Sequence, residues 1–98
     1  KMKESKFQKE LINKLYNLFP GCFIQRNPPN QTQGVPDLLI LFGSKWAMLE
    51  VKASESAPAR PNQPYYVEQF SRMSYSAFIY PENEERILME LKDAFRQR

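Results

Sequence analysis

The sequence predicts an α/β fold in which helices flank a mixed four-stranded sheet, in the order α-β-β-β-α-β-α. Three observations lead to this prediction. Apolar residues recur at spacings of three and four near both ends of the chain, as in amphipathic helices. Short apolar runs bounded by Gly, Pro, Ser and Asn lie between them, as in strands. The length of 98 residues, 42% of them hydrophobic, suffices for one core, so we expect a single domain over residues 1–98.

Three helices are predicted. The first covers residues 5–19 and is followed by Pro20 and Gly21, a pair that ends helices because proline cannot continue the hydrogen-bond pattern. The second covers about residues 64–73 and the third residues 82–95. The apolar stripe of the first helix consists of Phe7, Leu11, Ile12, Leu15, Leu18 and Phe19. The inward side chains of the third are Ile87, Leu88, Leu91 and Phe95.

Four strands are predicted between the helices. They cover residues 22–25, 37–42, 46–52 and 77–80. The first three are joined by loops or turns, so we expect them to pair antiparallel. The fourth follows a helical crossover, so we expect it to run parallel to a neighbour. These pairings make the predicted sheet mixed.

A predicted hairpin brings two carboxylates face to face. A two-residue turn at Gly43-Ser44 sets a register that places Asp37 opposite Glu50. Directly opposed side chains share one face of a sheet, with Cβ atoms about 4.5 to 5.5 Å apart. Lys52 shares that face because strand side chains alternate. Like charges this close are destabilising unless a lysine, a proton or a metal ion lies between them.

Of these three, a divalent cation would best relieve the repulsion between Asp37 and Glu50. Mg²⁺ prefers one or two carboxylates and retains several waters, which leaves room for a phosphate oxygen and an attacking water. The alternative is an ordinary surface carboxylate beside an exposed strand end. Leu39 and Met48 oppose it, since they share the acidic face and are expected to be partly covered. Pro36 opposes it too, because it makes Asp37 begin a strand, where a sheet end can open into a cleft.

Composition restricts the other classes of function. Histidine is absent and Cys22 is the only cysteine, which excludes a zinc site and a Ser-His-Asp hydrolase. Cys22 is interpreted as a small buried hydrophobe, which fits a reducing cytoplasm. We expect neither a signal peptide nor a membrane span. The net charge of +3 allows attraction to phosphates without requiring it.

Two segments together resemble the bipartite motif of the PD-(D/E)xK nuclease superfamily. They are Gly-Val-Pro-Asp-Leu-Leu-Ile at residues 34–40 and Leu-Glu-Val-Lys at residues 49–52. The fuller pattern resembles the VRR-NUC group, whose small members are phage or bacterial nucleases, and extends over about residues 7–80. The resemblance implies a restriction-endonuclease-like core and cleavage of DNA that depends on Mg²⁺ or Mn²⁺.

The resemblance also implies roles for individual residues. Asp37 and Glu50 would bind the metal together with the backbone carbonyl of Val51. Lys52 would orient or activate the attacking water and stabilise the developing negative charge.

Two further residues match the pattern by position. Glu10 matches a first-helix glutamate that often joins the metal site; the alternative is a solvated ion pair with a neighbouring lysine. Gln63 matches a glutamine at the beginning of the helix after the lysine. Its amide would hydrogen-bond a scissile phosphate or a water; the alternative is that it only begins the helix. Residues 59–61, Ala-Arg-Pro, depart from the usual hydrophobic residue and serine.

The expected partner is DNA. Phosphate contacts are predicted for Lys6, Lys9, Arg26, Lys45, Arg60 and Arg72, with polar contacts from residues 27–33. The family's small members indicate a homodimer acting on branched DNA such as a Holliday junction, because one chain offers one active site and a junction requires two symmetric cuts. The alternatives are a nicking, flap-cutting or homing-type nuclease, or a catalytically inactive DNA-binding module of the same fold. No organic cofactor is expected.

Overall fold

The computed structural model describes residues 3–28 and 32–96, and within these ranges the predicted order of helices and strands is confirmed. The elements are α1 (Glu4–Leu18), β1 (Phe23–Arg26), β2 (Leu38–Phe42), β3 (Lys45–Val51), α2 (Gln63–Met73), β4 (Tyr75–Ile79) and α3 (Glu84–Arg96). Residues 29–31, part of the loop predicted to contact DNA, lie outside the described residues.

The four strands form one mixed sheet in the order β1-β2-β3-β4. β1, β2 and β3 pair antiparallel, whereas β4 runs parallel to β3, as the connections predict. In the β2–β3 hairpin Phe42 pairs with Lys45 and Leu38 with Leu49, so the predicted register is confirmed. Gly43 has a φ of 62°, in the left-handed region that such a tight turn requires.

One face of the sheet is buried under α1 and α3. Its buried strand residues are Leu38, Ile40, Ala47, Leu49, Val51 and Ile79. They form one hydrophobic core with Phe7, Leu11 and Leu15 of α1 and Ile87, Leu91 and Phe95 of α3. Burial of this apolar face is the main stabilising contribution to the fold.

The end of α1 differs in one respect from the predicted apolar stripe. Leu18 is 39% exposed, whereas Phe19 is 4% exposed. Phe19, the residue after the helix, packs against Phe42 and Phe95 with ring centroids 5.4 and 5.0 Å away. The prediction that Leu18 is buried was wrong, because Phe19 and not Leu18 packs into this aromatic cluster.

The opposite face of the sheet is only partly covered. α2 lies against β3 and β4, where Phe70 and Trp46 pack edge to face with ring centroids 6.1 Å apart. Leu39 and Met48 are half-buried, as predicted. Glu50 belongs to this same face, so the acidic residue lies at the end of a covered surface. No helix of the described residues is long and apolar enough to cross a membrane.

Candidate active site

The carboxyl end of β3 carries two buried charged residues. Glu50 is 2% exposed and Lys52, directly after the strand, is 6% exposed. Asp37 lies just before β2, and its Oδ2 atom accepts a hydrogen bond of 3.0 Å from the backbone N–H of Val51. The hairpin therefore brings Asp37 beside Glu50 and Lys52, the arrangement that its register predicts.

Gln63 connects the two charged side chains of β3. Its Nε2 atom donates a hydrogen bond of 2.8 Å to Glu50 Oε2, and its Oε1 atom accepts one of 2.7 Å from Lys52 Nζ. Oε1 also accepts a 2.7 Å hydrogen bond from the backbone N–H of Arg60. These partners fix the amide orientation, since a flipped amide would turn an oxygen toward the carboxylate and an N–H toward the ammonium.

Lys52 is held beside the carboxylates without an ion pair to them. Its Nζ atom donates to the carbonyl of Pro58 at 2.9 Å and lies 5.9 Å from the centroid of the Phe78 ring. Among residues 3–28 and 32–96 none of the ion pairs includes Lys52. With Gln63 as the second acceptor, two of the three ammonium N–H groups have partners and one remains for a ligand.

The Glu50 carboxylate is poorly compensated. Burial and the neighbouring Asp37 carboxylate raise the pKa of Glu50 to about 8, with a smaller contribution from Glu4, and Lys52 offsets this only in part. The Oε1 atom of Glu50 is buried and lacks a hydrogen-bond partner in the described structure. A buried polar atom without a partner costs free energy, so this atom is available to a proton or a cation.

The donor set suits a hard divalent cation held by few protein ligands. No group of three or more Asp, Glu, Cys or His residues clusters as a metal site in the described ranges. Mg²⁺ does not need one, because it is commonly bound by one or two carboxylates and keeps several waters. Asp37 and Glu50, with the unpartnered Oε1 atom, therefore fit Mg²⁺ or Mn²⁺.

Asn27 braces the turn that carries Asp37. Its backbone N–H donates to the Asp37 carbonyl and its side-chain Nδ2 donates to the Pro36 carbonyl, both at 2.7 Å. The sequence predicts Asn27 as part of a loop for polar DNA contacts. The structure instead uses its donors within the chain, a role visible only once β1 and β2 are paired.

Gly34 fits the same turn against the beginning of α2. It has a φ of 96°, and a Cβ atom on it would lie 2.6 Å from Asn62 Cβ and 2.7 Å from the Asn62 backbone carbon. Asn62 itself has a φ of 71°, a conformation that asparagine tolerates better than most residues. The approach of Gly34 to Asn62 therefore brings the Asp37 turn next to the residue preceding Gln63.

Asp37 and Arg60 line two neighbouring cavities. One is a cleft of about 330 Å³, lined by Glu4, Gln8, Arg26, Asn27, Pro28, Asp37 and Arg60. The other, of about 110 Å³, is lined by Thr32, Gln33, Gly34, Val35, Asp37, Arg60 and Gln63. Two cavities of about 370 Å³ lie elsewhere and do not border Asp37.

The first-helix glutamate at this cleft is Glu4 and not Glu10. Glu4 lines the cleft and its charge acts on Glu50. Glu10 lies six residues later, rotated by about 120° around the helix axis. That places it on the flank of Lys14, whose Nζ atom pairs with Glu84 of α3 at 3.0 Å. Glu10 does not line the cleft, and the sequence could not show this because it does not fix which flank of α1 faces the sheet end.

The predicted phosphate-binding cations occupy different parts of the molecule. Arg26 and Arg60 line the cleft, whereas Lys6 and Lys9 are exposed on α1 and do not line it. Lys45 begins β3, about 17 Å of strand before Glu50.

Arg72 lies near the end of α2, about 14 Å along the helix from Gln63, and pairs with Glu68 at 3.0 Å. Lys45 and Arg72 are therefore remote from the cleft that Asp37 lines.

Comparison with known proteins identifies the fold. No family model matches the sequence, and no curated protein matches it. A solved structure described as a VRR_NUC domain superposes with a TM-score of 0.67, covering 94% of this chain and 97% of that one, at 20% sequence identity. The chain has the fold of a VRR-NUC domain. The restriction-endonuclease-like core implied by the sequence motifs is therefore confirmed.

In this VRR-NUC fold the motif residues lie where the sheet meets the beginning of α2. Asp37 comes from the amino end of β2, Glu50 and Lys52 from the carboxyl end of β3, and Gln63 from the first turn of α2. The role of Gln63 as a bridge between Glu50 and Lys52 follows from tertiary packing and could not be predicted from its position in the motif.

The raised pKa of Glu50 predicts a pH-dependent stability of the metal-free protein. Between the ordinary glutamate pKa of 4.5 and the folded value of about 8, the folded protein retains a proton that the unfolded chain releases. The free energy of unfolding should therefore fall as pH rises through this window, with a limiting slope of about 1.4 kcal/mol per pH unit. Urea unfolding in EDTA between pH 4.5 and 8.5 measures it.

Glu50→Gln is the matched control, because it keeps the shape of the side chain and cannot titrate. Its free energy of unfolding should lose this dependence on pH. An equally steep pH dependence in wild type and Glu50→Gln would show that another group causes it.

The contact of Gly34 with Asn62 predicts that alanine substitutions at two glycines destabilise the protein to different extents. Gly34→Ala should lower the free energy of unfolding more than Gly21→Ala. Both glycines have positive φ, 96° and 88°, so both substitutions carry the left-handed backbone cost of about 1–2 kcal/mol. Only Gly34 adds a clash, since nothing lies within 4 Å of the corresponding position at Gly21. Equal losses in urea unfolding would contradict the close approach.

Proposed function

We propose that this protein is a metal-dependent endodeoxyribonuclease with its active centre at Asp37, Glu50, Lys52 and Gln63. The observation that carries the proposal is the buried Glu50 beside Asp37, with a buried lysine held next to it by a shared glutamine. Stability alone gives no reason to bury Glu50 beside a second carboxylate, because each raises the cost of ionising the other. A carboxyl group whose pKa is raised by burial and by a neighbouring carboxylate is typical of functional sites.

Asp37 and Glu50 would hold Mg²⁺ or Mn²⁺, with the backbone carbonyl of Val51 as a third protein ligand. When bound, the ion would supply positive charge to the phosphate and favour ionisation of water at neutral pH. The buried Oε1 atom of Glu50, which lacks a partner, supports this assignment. Binding of the ion would also displace the proton that burial favours on Glu50.

Lys52 would act on the reacting phosphodiester. Its ammonium is held by Pro58 and Gln63, so its remaining N–H is presented without further ordering of a long, flexible side chain. From there it would orient the attacking water and stabilise the charge that develops on the phosphate oxygens. Gln63 would position this lysine and Glu50 together.

Glu4 would complete the acidic side of the site. It lines the cleft with Asp37, and its charge contributes to the raised pKa of Glu50. Because Glu4 is exposed, its carboxylate would act on the ion through water more readily than by direct binding.

DNA is the proposed substrate, with branched DNA such as a four-way junction as the preferred form and a homodimer as the acting species. Arg26 and Arg60 on the cleft walls would contact backbone phosphates, with Lys6 and Lys9 extending the positive surface along α1. Two copies would supply the two cuts that a junction needs.

Cleavage assays test the proposed function. With labelled four-way junction, flap and duplex DNA, wild type should cut in Mg²⁺ or Mn²⁺ and not in EDTA. Asp37→Asn and Lys52→Ala should each reduce the rate by at least roughly 100-fold, because each removes charge from the reacting centre. DNA binding should survive both changes. Sedimentation of the protein free and on the junction measures the oligomeric state.

Lys92→Ala is the control, since it removes an exposed charge from α3, and it should cut at the wild-type rate. Preference for a flap or a defined duplex would assign a different nuclease substrate. Binding without cleavage in every metal would identify the protein as a DNA-binding module and reject the enzymatic proposal.

A pair of variants on α1 tests the third carboxylate. Glu4→Gln should weaken Mn²⁺ binding, measured by titration calorimetry, by roughly tenfold, as loss of an outer metal partner does. Glu10→Gln removes the same charge from the same helix and should leave the affinity unchanged. Weakening by Glu10→Gln alone would overturn the assignment of Glu4.

A further inference from the structure

Arg60 lies at the junction of the two cavities beside Asp37. The cleft of about 330 Å³ and the cavity of about 110 Å³ share only Asp37 and Arg60 among their lining residues. Arg60 and Asp37 therefore both border the two cavities. Arg26, the other predicted phosphate-binding cation at the cleft, lines the larger cavity but not the smaller one.

The two cavities differ in size, so they would accommodate different parts of a nucleic acid. The smaller cavity has room for three or four waters at about 30 Å³ each, which suits a phosphate group with some of its water and excludes a nucleoside. The larger cleft reaches the lower end of the range for ligand pockets, about 300 Å³. A nucleic-acid strand would therefore lie in the cleft, with one phosphate directed toward Asp37 and the smaller cavity.

The backbone of Arg60 is tied to the active centre at two points. Its N–H donates to Gln63 Oε1 at 2.7 Å, and its carbonyl accepts the backbone N–H of Gln63 at 3.2 Å. The same Gln63 side chain contacts Lys52 and Glu50. The starting point of the arginine side chain is therefore fixed relative to both charged groups of β3.

The guanidinium of Arg60 is available to a ligand. None of the ion pairs within residues 3–28 and 32–96 uses it, although the carboxyl groups of Asp37, Glu50 and Glu4 belong to the same site. The residue is exposed. A guanidinium offers a planar fork of N–H donors that matches two phosphate oxygens, which a lysine ammonium cannot do.

We propose that Arg60 is a catalytic residue that binds the phosphodiester being cut and stabilises its charge in the transition state. This inference rests on the proposed function and deepens it, since it assigns a second cation, besides Lys52, to the phosphate. In this arrangement the phosphate meets two cations, and Gln63 binds the side chain of Lys52 and the backbone of Arg60.

A binding experiment tests the phosphate contact without cleavage. The dinucleotide TpT is titrated into ¹⁵N-labelled protein in Ca²⁺ and in EDTA, and the arginine Nε–Hε resonances are followed by NMR. The Arg60 resonance should shift, whereas that of Arg86, which pairs with Glu90 on α3, should not. Arg60→Ala should weaken TpT binding roughly tenfold, and Arg86→Ala should leave it unchanged. No shift at Arg60 overturns the proposal.

Single-turnover cleavage at saturating DNA tests the catalytic role. Arg60→Ala should lower the cleavage rate roughly 100-fold, as removal of a donor from a developing oxyanion does. Arg60→Lys should recover part of the loss, because it restores charge without the fork. Arg86→Ala should stay within about twofold of wild type, as expected for a surface residue remote from the site. Arg60→Ala with weaker binding but an unchanged rate overturns the catalytic role.

The failures of this proposal and of the proposed function are distinguishable. If wild type cuts no DNA but TpT shifts the Arg60 resonance, the nuclease assignment is wrong and the phosphate contact stands without a catalytic role. If wild type cuts and Arg60→Ala cuts equally fast with unchanged TpT binding, the nuclease assignment stands and Arg60 has no part in it.

Discussion

The arrangement of the candidate site at the end of the sheet depends on the burial of the Glu50 carboxylate beside Asp37. An ionised carboxylate loses its hydration when it is buried, and a second carboxylate adds repulsion. The fold compensates this loss only in part. Gln63 donates one hydrogen bond to Glu50 Oε2, and Oε1 has no hydrogen-bond partner among the described residues. The remaining electrostatic cost is the property that would make this site bind a divalent cation.

Several contacts hold this unfavourable arrangement in place. Asn27 braces the Asp37 turn through two hydrogen bonds, and Gly34 lets the turn approach Asn62. Gln63 then joins α2 to Glu50 and Lys52. Strained or uncompensated groups persist where surrounding structure over-determines them. The site is therefore assembled from three separate segments, none of which could hold it alone.

One face of the sheet forms the hydrophobic core, and the other carries the candidate site at its end. The face under α1 and α3 is lined by aliphatic residues and supplies the hydrophobic core. The face under α2 is only partly covered and carries the polar residues at its end. Because a central strand alternates between faces, Leu49 and Val51 of β3 can stabilise the core while Glu50, between them, faces the site.

Local rules determined much of this protein from the sequence alone. Glycine at the hairpin turn and the alternation of strand side chains set the register, which is why Asp37, Glu50 and Lys52 could be grouped in advance. Helical periodicity likewise determined the buried stripes of α1 and α3, apart from Leu18. These features depend on neighbours close in sequence or joined by one turn.

Tertiary structure alone decided how the elements face one another. It placed Glu4 at the cleft and Glu10 on the flank toward α3, and it left Lys45 at the opposite end of β3 from the site. It also gave Gln63 its bridging role. The rotation of a helix about its axis and the distance between chain segments depend on packing against elements remote in sequence, which no local pattern encodes.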